Sequence, residues 1–371
     1  MKEKTGEKKI AFYIGSLRKG GAERVFVNLA DYFQKEGYRV VMVTQYRFEE
    51  EYDLPAGVGR ILSDIGEQEV TKSRIRNFFL RLNKLHVIWK TEKPNLVLSC
   101  IGKNNFMAVV STIGTDTEAV VSVVGEAAEE YPTKMMRMLA NFLFPRAAGV
   151  ILQTERSRGF FSKRAAARAV VLPNSLNPVF IRPRFEGERE KEIVSVGRMD
   201  ANKNHEMQLC AFAALQPEFA DHTLTIYGDG ELRPFIEELA GKLGISERVR
   251  LPGVVPDIAD RIGKASLFLL TSYSEGVSNA LIEALALGLP VIATDVPSGG
   301  TEELMEDGIN GLIIPAGDQK ALEQAMRKML GDSAYADRLG REAAKIQERL
   351  APERVNALWK AYFEGIIGKA K

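Results

Sequence analysis

Short apolar runs alternate with longer amphipathic segments along most of this chain. IAFYI (10–14), RVVMVT (39–44), NLVLS (95–99), AVVSVV (119–124), GVILQ (149–153) and AVVLP (169–173) each read as a buried strand. The segments between them carry helical periodicity, including about Ala22 to Lys35 and the basic stretch Arg74 to Lys90. The pattern breaks over residues 174–191, NSLNPVFIRPRFEGEREK, which are rich in Pro, Asn and charge and read as a linker. It restarts with EIVSVG (192–197), LTIYG (224–228), RVRLPG (248–253), SLFLLT (266–271) and PVIAT (290–294), each followed by a helix-like segment. The final ~50 residues read as helix alone. Continuous apolar strands alternating with helices predict parallel sheets covered on both faces. Two such α/β domains are expected, with ligands outside the carboxyl ends of the strands, in a cleft between the domains.

Length supports the division, since 371 residues exceed a single ordinary core. Lys plus Arg number 50 and Asp plus Glu 49, so no overall basicity points to nucleic acid. Cys100 and Cys210 lie far apart and read as free thiols. His86, His205 and His222 are the only histidines, which leaves little for a histidine metal site. The opening MKEKTGEKK has no apolar core of a secretion signal, and no run reaches the ~20 residues a spanning helix needs.

Five stretches carry candidate chemistry. In IGSLRKGGAERV (14–25), a strand end is followed by Gly20 and Gly21 at a helix start, where backbone amides attract anions. The Lys and Ser/Thr of a P-loop are missing, and a tight strand-to-helix turn explains the glycines equally well. In VGRMDANKNHEM (196–207), Arg198 and Lys203 flank a strand end and the next helix start, which suits a diphosphate; solvated surface cations are the plainer alternative. IYGDGELRPF (226–235) resembles a dinucleotide fingerprint but puts Arg233 at the third glycine position, so a simple turn remains open. In SYSEGVSNALIEALALG (272–288), Glu275 follows a strand, Ser278 or Asn279 caps a helix, and Glu283 interrupts an apolar helix face. Two carboxylates separated by eight residues, ~12 Å along a helix, can grip opposite ends of an extended ligand. An internal salt bridge for Glu283 and a plain loop position for Glu275 are the alternatives. Last, 71–90 and 134–146 interleave Lys and Arg with Phe, Met, Leu and Trp. That fits docking on an anionic membrane surface, or ordinary helices facing a core.

GGAERVFVNLA (20–30), VLPNSLNP (171–178), VGRMDANKN (196–204), YGDGELR (227–233), SEGVSNALIEALALGLPVIATDVPSGG (274–300) and DGINGLIIPAGD (307–318) together resemble glycosyltransferase family 4 over nearly the whole chain. The similarity extends to bacterial N-acetylgalactosaminyltransferases that extend lipid-linked or surface oligosaccharides. The resemblance implies a GT-B fold, two Rossmann-like domains whose parallel sheets face a central cleft. An acceptor domain over 1–176 and a donor domain over 177–351 are expected, with a helix at 352–371 packing back on the first. It implies a retaining, metal-independent transferase with no cofactor, using a nucleotide-sugar, best taken as a UDP-sugar. The acceptor would be a saccharide or a polyprenyl-diphosphate-linked saccharide. The place would be the cytoplasm, at the inner face of the membrane.

By the same resemblance, Glu275 faces the donor sugar and Glu283 the ribose, while Arg198 and Lys203 hold the diphosphate. Gly20 and Gly21 lie by phosphates and acceptor. Gly276, Val277, Ser278, Asn279 and Ala280 line the donor, and Gly253 and Val254 lie beside the base. Many family members have a histidine near the reacting sugar; here SVVGEAAEEYP (122–132) has none, and Glu126 stands there instead. Glu126 has an acceptor role, or the site needs no histidine. A nucleotide-sugar epimerase or phosphorylase, and a non-catalytic nucleotide-sugar-binding subunit, are the competing readings.

Overall fold

The computed structural model describes residues 8–369, so most of the polar opening segment lies outside the described residues. Two compact units divide the chain: one runs up to Pro173 and takes in the residues from Glu353 onward, and the other is Asn174–Pro352.

The first unit contains β1 (Lys9–Ile14), α1 (Gly21–Lys35), β2 (Arg39–Thr44), β3 (Gly59–Leu62), α2 (Arg74–Glu92), β4 (Leu96–Cys100) and α3 (Lys103–Ser111). It continues with β5 (Glu118–Val123), α4 (Ala127–Glu130), α5 (Lys134–Leu143), β6 (Gly149–Leu152), α6 (Glu155–Arg158), α7 (Lys163–Ala166) and β7 (Ala169–Val171). The second unit contains β8 (Glu190–Val196), α8 (His205–Ala214), β9 (Thr223–Tyr227), α9 (Arg233–Lys242), β10 (Val249–Gly253), α10 (Ile258–Ile262) and β11 (Ala265–Leu270). After these come α11 (Asn279–Ala286), β12 (Val291–Asp295), β13 (Leu312–Pro315), α12 (Gln319–Gly331), α13 (Ser333–Ala344) and α14 (Ile346–Arg349). The last helix, α15 (Pro352–Ile367), packs in the first unit.

Both sheets are parallel throughout, in the orders β3-β2-β1-β4-β5-β6-β7 and β10-β9-β8-β11-β12-β13. The expected pair of Rossmann-like domains is therefore present. All six residues of β1 are buried, as a strand covered by helices on both faces requires. Helix α1 buries Phe26, Leu29, Ala30 and Phe33, a single stripe at helical spacing.

The order of each sheet reverses once. β1 lies between β2 and β4 in the first sheet, and β8 lies between β9 and β11 in the second. Connections leaving β1 and β4, or β8 and β11, depart toward opposite faces, so a crevice opens at the carboxyl ends of those neighbours. That is where β1 delivers Gly20, and where β8 and β11 deliver Lys203 and Glu275.

Three sequence expectations need correction. Residues 174–191 do not form a free linker. Arg184 Nε donates to Gly288 O at 3.2 Å, and Arg189 donates to Gly288 O at 2.7 Å and Ala265 O at 3.0 Å. These arginine stems cover apolar surface while their heads satisfy loop carbonyls, which explains charge in a packed segment. β3 and β13 were not foreseen. Both are edge strands and only partly covered: β3, GRIL, lacks a continuous apolar run, and β13, LIIP, is apolar but only four residues long.

Helix α15 is fastened by aromatic packing. Phe363 is fully buried and stacks on Phe33, with ring centroids 5.1 Å apart, while the Trp359 indole donates to Pro173 O at 3.0 Å. Phe363→Ala is expected to destabilise the first unit by about 3–5 kcal/mol. Denaturant unfolding checks this, and a change below about 1 kcal/mol, the scale of surface substitutions, would show that α15 is not part of that core.

Candidate functional site

The second unit supplies the denser cluster. β8 ends at Val196, and a loop carries the chain through Arg198 and Asp200 to a single 3-10 turn, Ala201–Lys203. Asp200 caps that turn by accepting from Lys203 N at 3.1 Å. Asn204 follows in a left-handed conformation, φ 51°, which asparagine tolerates well, and its side chain caps α8. Lys203 is thereby aimed back across the end of β8, close over Gly197.

The loop after β11 meets it. The Lys203 ammonium forms an ion pair with the Glu275 carboxylate, and both side chains are about five-sixths covered, at 16% and 15% exposure. The Ser272 hydroxyl donates to the same Glu275 oxygen at 2.7 Å. The two loops are locked by Asn202, which donates to Ser274 O at 2.7 Å and accepts from Ser274 N at 2.9 Å; Tyr273 N also donates to Asn202 O at 2.9 Å.

Beneath the pair lies a buried polar chain. The Thr271 hydroxyl donates to Lys203 O at 2.9 Å. Gln208 Nε2 donates to Thr271 Oγ1 at 2.7 Å and to Ser195 Oγ at 3.1 Å, and Gln208 Oε1 lies 3.2 Å from His205 Nδ1. All four side chains are at least 97% buried. The hydrogen bonds that join Ser195, Gln208 and Thr271 fix the geometry of the backbone that carries Lys203.

Close backbone packing completes the frame. A Cβ on Gly228, φ +129°, would fall 1.9 Å from Gly197 O, and one on Gly230 would fall 2.4 Å from Met199 O. The Gly228-Asp229-Gly230 segment thus serves to let the β9 turn press against the β8 turn. Likewise a Cβ on Gly300 would lie 1.6 Å from Gly276 O, so the turn after β12 supports the Glu275 loop.

The remaining residues fall around this centre. Ser278, not Asn279, caps α11, accepting from Leu281 N at 3.4 Å. α11 opens at Asn279, and the positive end of its dipole lies there. Val277 is buried, and Glu283 is only 6% exposed within α11. Arg198 is 76% exposed and pairs with Asp200 at 3.3 Å, so it is a surface cation beside the more deeply covered Lys203. Gly253 ends β10 at φ +81°, and Val254 beyond it is 75% exposed.

In the first unit, Gly20 precedes α1 in an extended conformation, and a Cβ there would fall 2.3 Å from the Glu23 carboxylate. The helix's own Glu23 therefore folds against the glycine turn. Glu126 caps α4 through Ala128 N at 3.4 Å, while its other oxygen is buried with no hydrogen bond. Burial holds the Glu126 carboxyl above its ordinary range. Glu130, four residues on, is more deeply built in. It accepts from Val124 N and Gly125 N, both at 2.8 Å, and from Gly102 N at 3.0 Å, so one carboxylate ties the ends of β4 and β5. Burial pushes this carboxyl up as well. Next to Gly102, Ile101 has φ 70°, a strained value for a β-branched residue, right at the end of β4.

A cavity of about 440 Å³ opens at the same edge, lined by Tyr13, Tyr46, Arg74, Phe78, Lys103 and Leu139 among others. Arg74 and Lys103 make no ion pair among the described residues, whereas Arg81 in the same wall pairs with Asp64 at 2.8 Å. The strip foreseen on α2 and α5 is divided: Leu85, Ile88, Trp89, Ala140 and Leu143 are buried in the core, whereas Ile75, Phe79, Met135 and Met138 have 60–71% of their surface open. These side chains do not face a core. Among the described residues no helix is long and apolar enough to cross a membrane, and no cluster of three acidic, His or Cys side chains could hold a metal ion.

Two parallel Rossmann-like sheets, each reversing its strand order once, define the fold class, GT-B. The family model for glycosyl transferases group 1 matches residues 179–346, which lie within the second unit. The chain is 28% identical over 336 residues to the Campylobacter jejuni GalNAc-alpha-(1->4)-GalNAc-alpha-(1->3)-diNAcBac-PP-undecaprenol alpha-1,4-N-acetyl-D-galactosaminyltransferase, covering 89% of this chain and 91% of that one. It is 26% identical over 344 residues to a second Campylobacter jejuni enzyme, an N-acetylgalactosamine-N,N'-diacetylbacillosaminyl-diphospho-undecaprenol 4-alpha-N-acetylgalactosaminyltransferase, covering 87% and 90%. The crystal structure of Anabaena HepE in complex with UDP superposes with a TM-score of 0.79 at 18% identity, covering 96% of this chain and all of that one.

The chain beneath Lys203 gives a pH prediction. Burial holds His205 below its ordinary value, so the unfolded chain takes up this proton first as pH falls through about 6.5. The contribution of neutral His205 to stability is complete above that value and is lost as pH falls toward the depressed folded value. Unfolding free energies measured from pH 8 to pH 5 should therefore fall less steeply in His205→Gln than in the parent. Parallel curves would contradict a buried neutral imidazole.

Proposed function

We propose that the chain is a retaining, metal-independent hexosyl- or N-acetylhexosaminyltransferase that takes its sugar from a UDP-sugar and gives it to a lipid-linked saccharide. The observation that carries this reading is the Lys203–Glu275 junction at the strand reversal of the second sheet, a cation and a carboxylate held side by side next to a helix start. A nucleoside diphosphate-sugar offers the complementary pattern: negative diphosphate next to sugar hydroxyls. Lys203, the exposed Arg198 and the positive end of α11 would take the diphosphate, Glu275 the sugar, and Glu283 the ribose. Gly253 and Val254 would lie along the base through backbone contacts. The names of the Campylobacter relatives and the UDP bound to HepE support the same donor and acceptor chemistry.

In the reaction, the bond from the anomeric carbon to the diphosphate oxygen breaks and a bond from that carbon to the acceptor oxygen forms on the same face. The departing phosphate oxygen takes the acceptor's proton. Charge grows on the diphosphate as its bond breaks, and Lys203 and Arg198 stabilise that charge more strongly than they stabilise the intact donor. On the first unit, Glu126 has one unsatisfied buried oxygen to accept from an acceptor hydroxyl. Arg74 and Lys103 in the cavity suit an acceptor's phosphate groups, and the Gly20–Gly21 turn lies at the same edge. The exposed apolar and basic strip of α2 and α5 would rest on the inner face of an anionic membrane.

Thermal unfolding with a panel of nucleotide-sugars tests the donor. A ligand at 100 times its Kd should add about 2.7 kcal/mol of apparent stability, and a UDP-sugar is expected to give the largest shift. Lys203→Ala should lose the shift and at least tenfold in turnover, with its fold intact. A shift from no nucleotide-sugar, or near-normal turnover in Lys203→Ala, would overturn the assignment; a changed sugar without acceptor would identify an epimerase.

A further inference from the structure

The roles just proposed for Lys203 and Glu275 compete with each other. One ammonium is asked to hold a diphosphate, yet it is ion-paired with Glu275 and largely covered. Glu275 in turn is anchored by the buried Ser272 hydroxyl at 2.7 Å, so the carboxylate cannot simply swing away with the lysine. A diphosphate entering this crevice meets a neutral pair. To win Lys203 it must displace a carboxylate that has already lost most of its water, and it must then sit beside that carboxylate. A charge left without its partner in such a place is strongly unfavourable.

The two nucleotides of the reaction differ at this point. A donor sugar brings hydroxyls that can donate to Glu275 and replace the lysine. The nucleoside diphosphate product brings none. Resting on the donor reading above, we infer that the Lys203–Glu275 pair is a latch that discriminates donor from product. Glu275 yields Lys203 to the diphosphate only while a sugar hydroxyl satisfies the carboxylate. When the sugar has left, the carboxylate reclaims the lysine and drives the nucleoside diphosphate out. Glu275 then acts on product affinity as well as on sugar recognition, and the two roles have opposite signs for UDP.

Titration calorimetry with UDP, on the whole protein, separates the latch from simple sugar recognition. Glu275→Gln should bind UDP at least fivefold more tightly than the parent while losing transfer activity. Ser272→Ala, which only loosens the anchor, should move UDP affinity the same way by a smaller factor, and it keeps the test available should Glu275→Gln fold poorly. Lys203→Ala should bind UDP more weakly, and in that background Glu275→Gln should no longer tighten it. Unchanged or weaker UDP binding in Glu275→Gln overturns the latch. A gain that persists without Lys203 also overturns it, because that gain would come from removing negative charge alone. If neither the parent nor Glu275→Gln binds UDP, the UDP-donor reading fails and the latch fails with it. If the parent binds UDP and the variants do not tighten it, only the latch fails.

Discussion

The placement of β8 beside β11 is the constraint on which the candidate donor site depends. The two strands are parallel neighbours, but 72 residues separate Lys203 from Glu275 in the chain. Right-handed crossovers send one connection from this pair to each face of the sheet, and a crevice opens between them at the carboxyl ends of the strands. Lys203 and Glu275 stand on its two lips. Neither residue has chemical meaning alone; a solvated surface lysine and a loop glutamate are common.

Rigidity comes from backbone approach and buried hydrogen bonds. Gly228, Gly230 and Gly300 let neighbouring turns touch main chain to main chain. Ser195, Gln208 and Thr271 then join β8, α8 and β11 beneath the Lys203 carbonyl. A site built this way pays little reorganisation when charge develops, which is the condition for electrostatic catalysis. The first unit uses one buried carboxylate for the same purpose. Glu130 gathers amides from the ends of β4 and β5 and leaves Glu126 with an open oxygen.

The strands of both sheets were legible because burial on two faces writes them as unbroken apolar runs. β3 was not, because a partly covered edge strand lacks that signature, and β13, LIIP, is a run of only four residues. Residues 174–191 misled for the converse reason: Arg184 and Arg189 look like solvent-facing charge, yet they cap carbonyls of packed loops. At the site, Lys203, Arg198, Glu275 and Glu283 could be named from the sequence, because cations at a strand end and a carboxylate inside an apolar helix are conspicuous. The Lys203–Glu275 contact could not, since spacing along a chain says nothing about which strands become neighbours. Gln208, Thr271 and Ser195 carry no motif at all. The Gly228-Asp229-Gly230 segment did carry one, but glycines needed for close packing look the same as glycines needed for a phosphate.

A crystal structure of the protein with UDP-sugar bound tests the account most directly. The account predicts the diphosphate within hydrogen-bond distance of Lys203 Nζ, a sugar hydroxyl donating to Glu275, and the ribose hydroxyls on Glu283. A nucleotide bound away from the ends of β8 and β11, or a diphosphate in place with Lys203 still paired to Glu275, would contradict it.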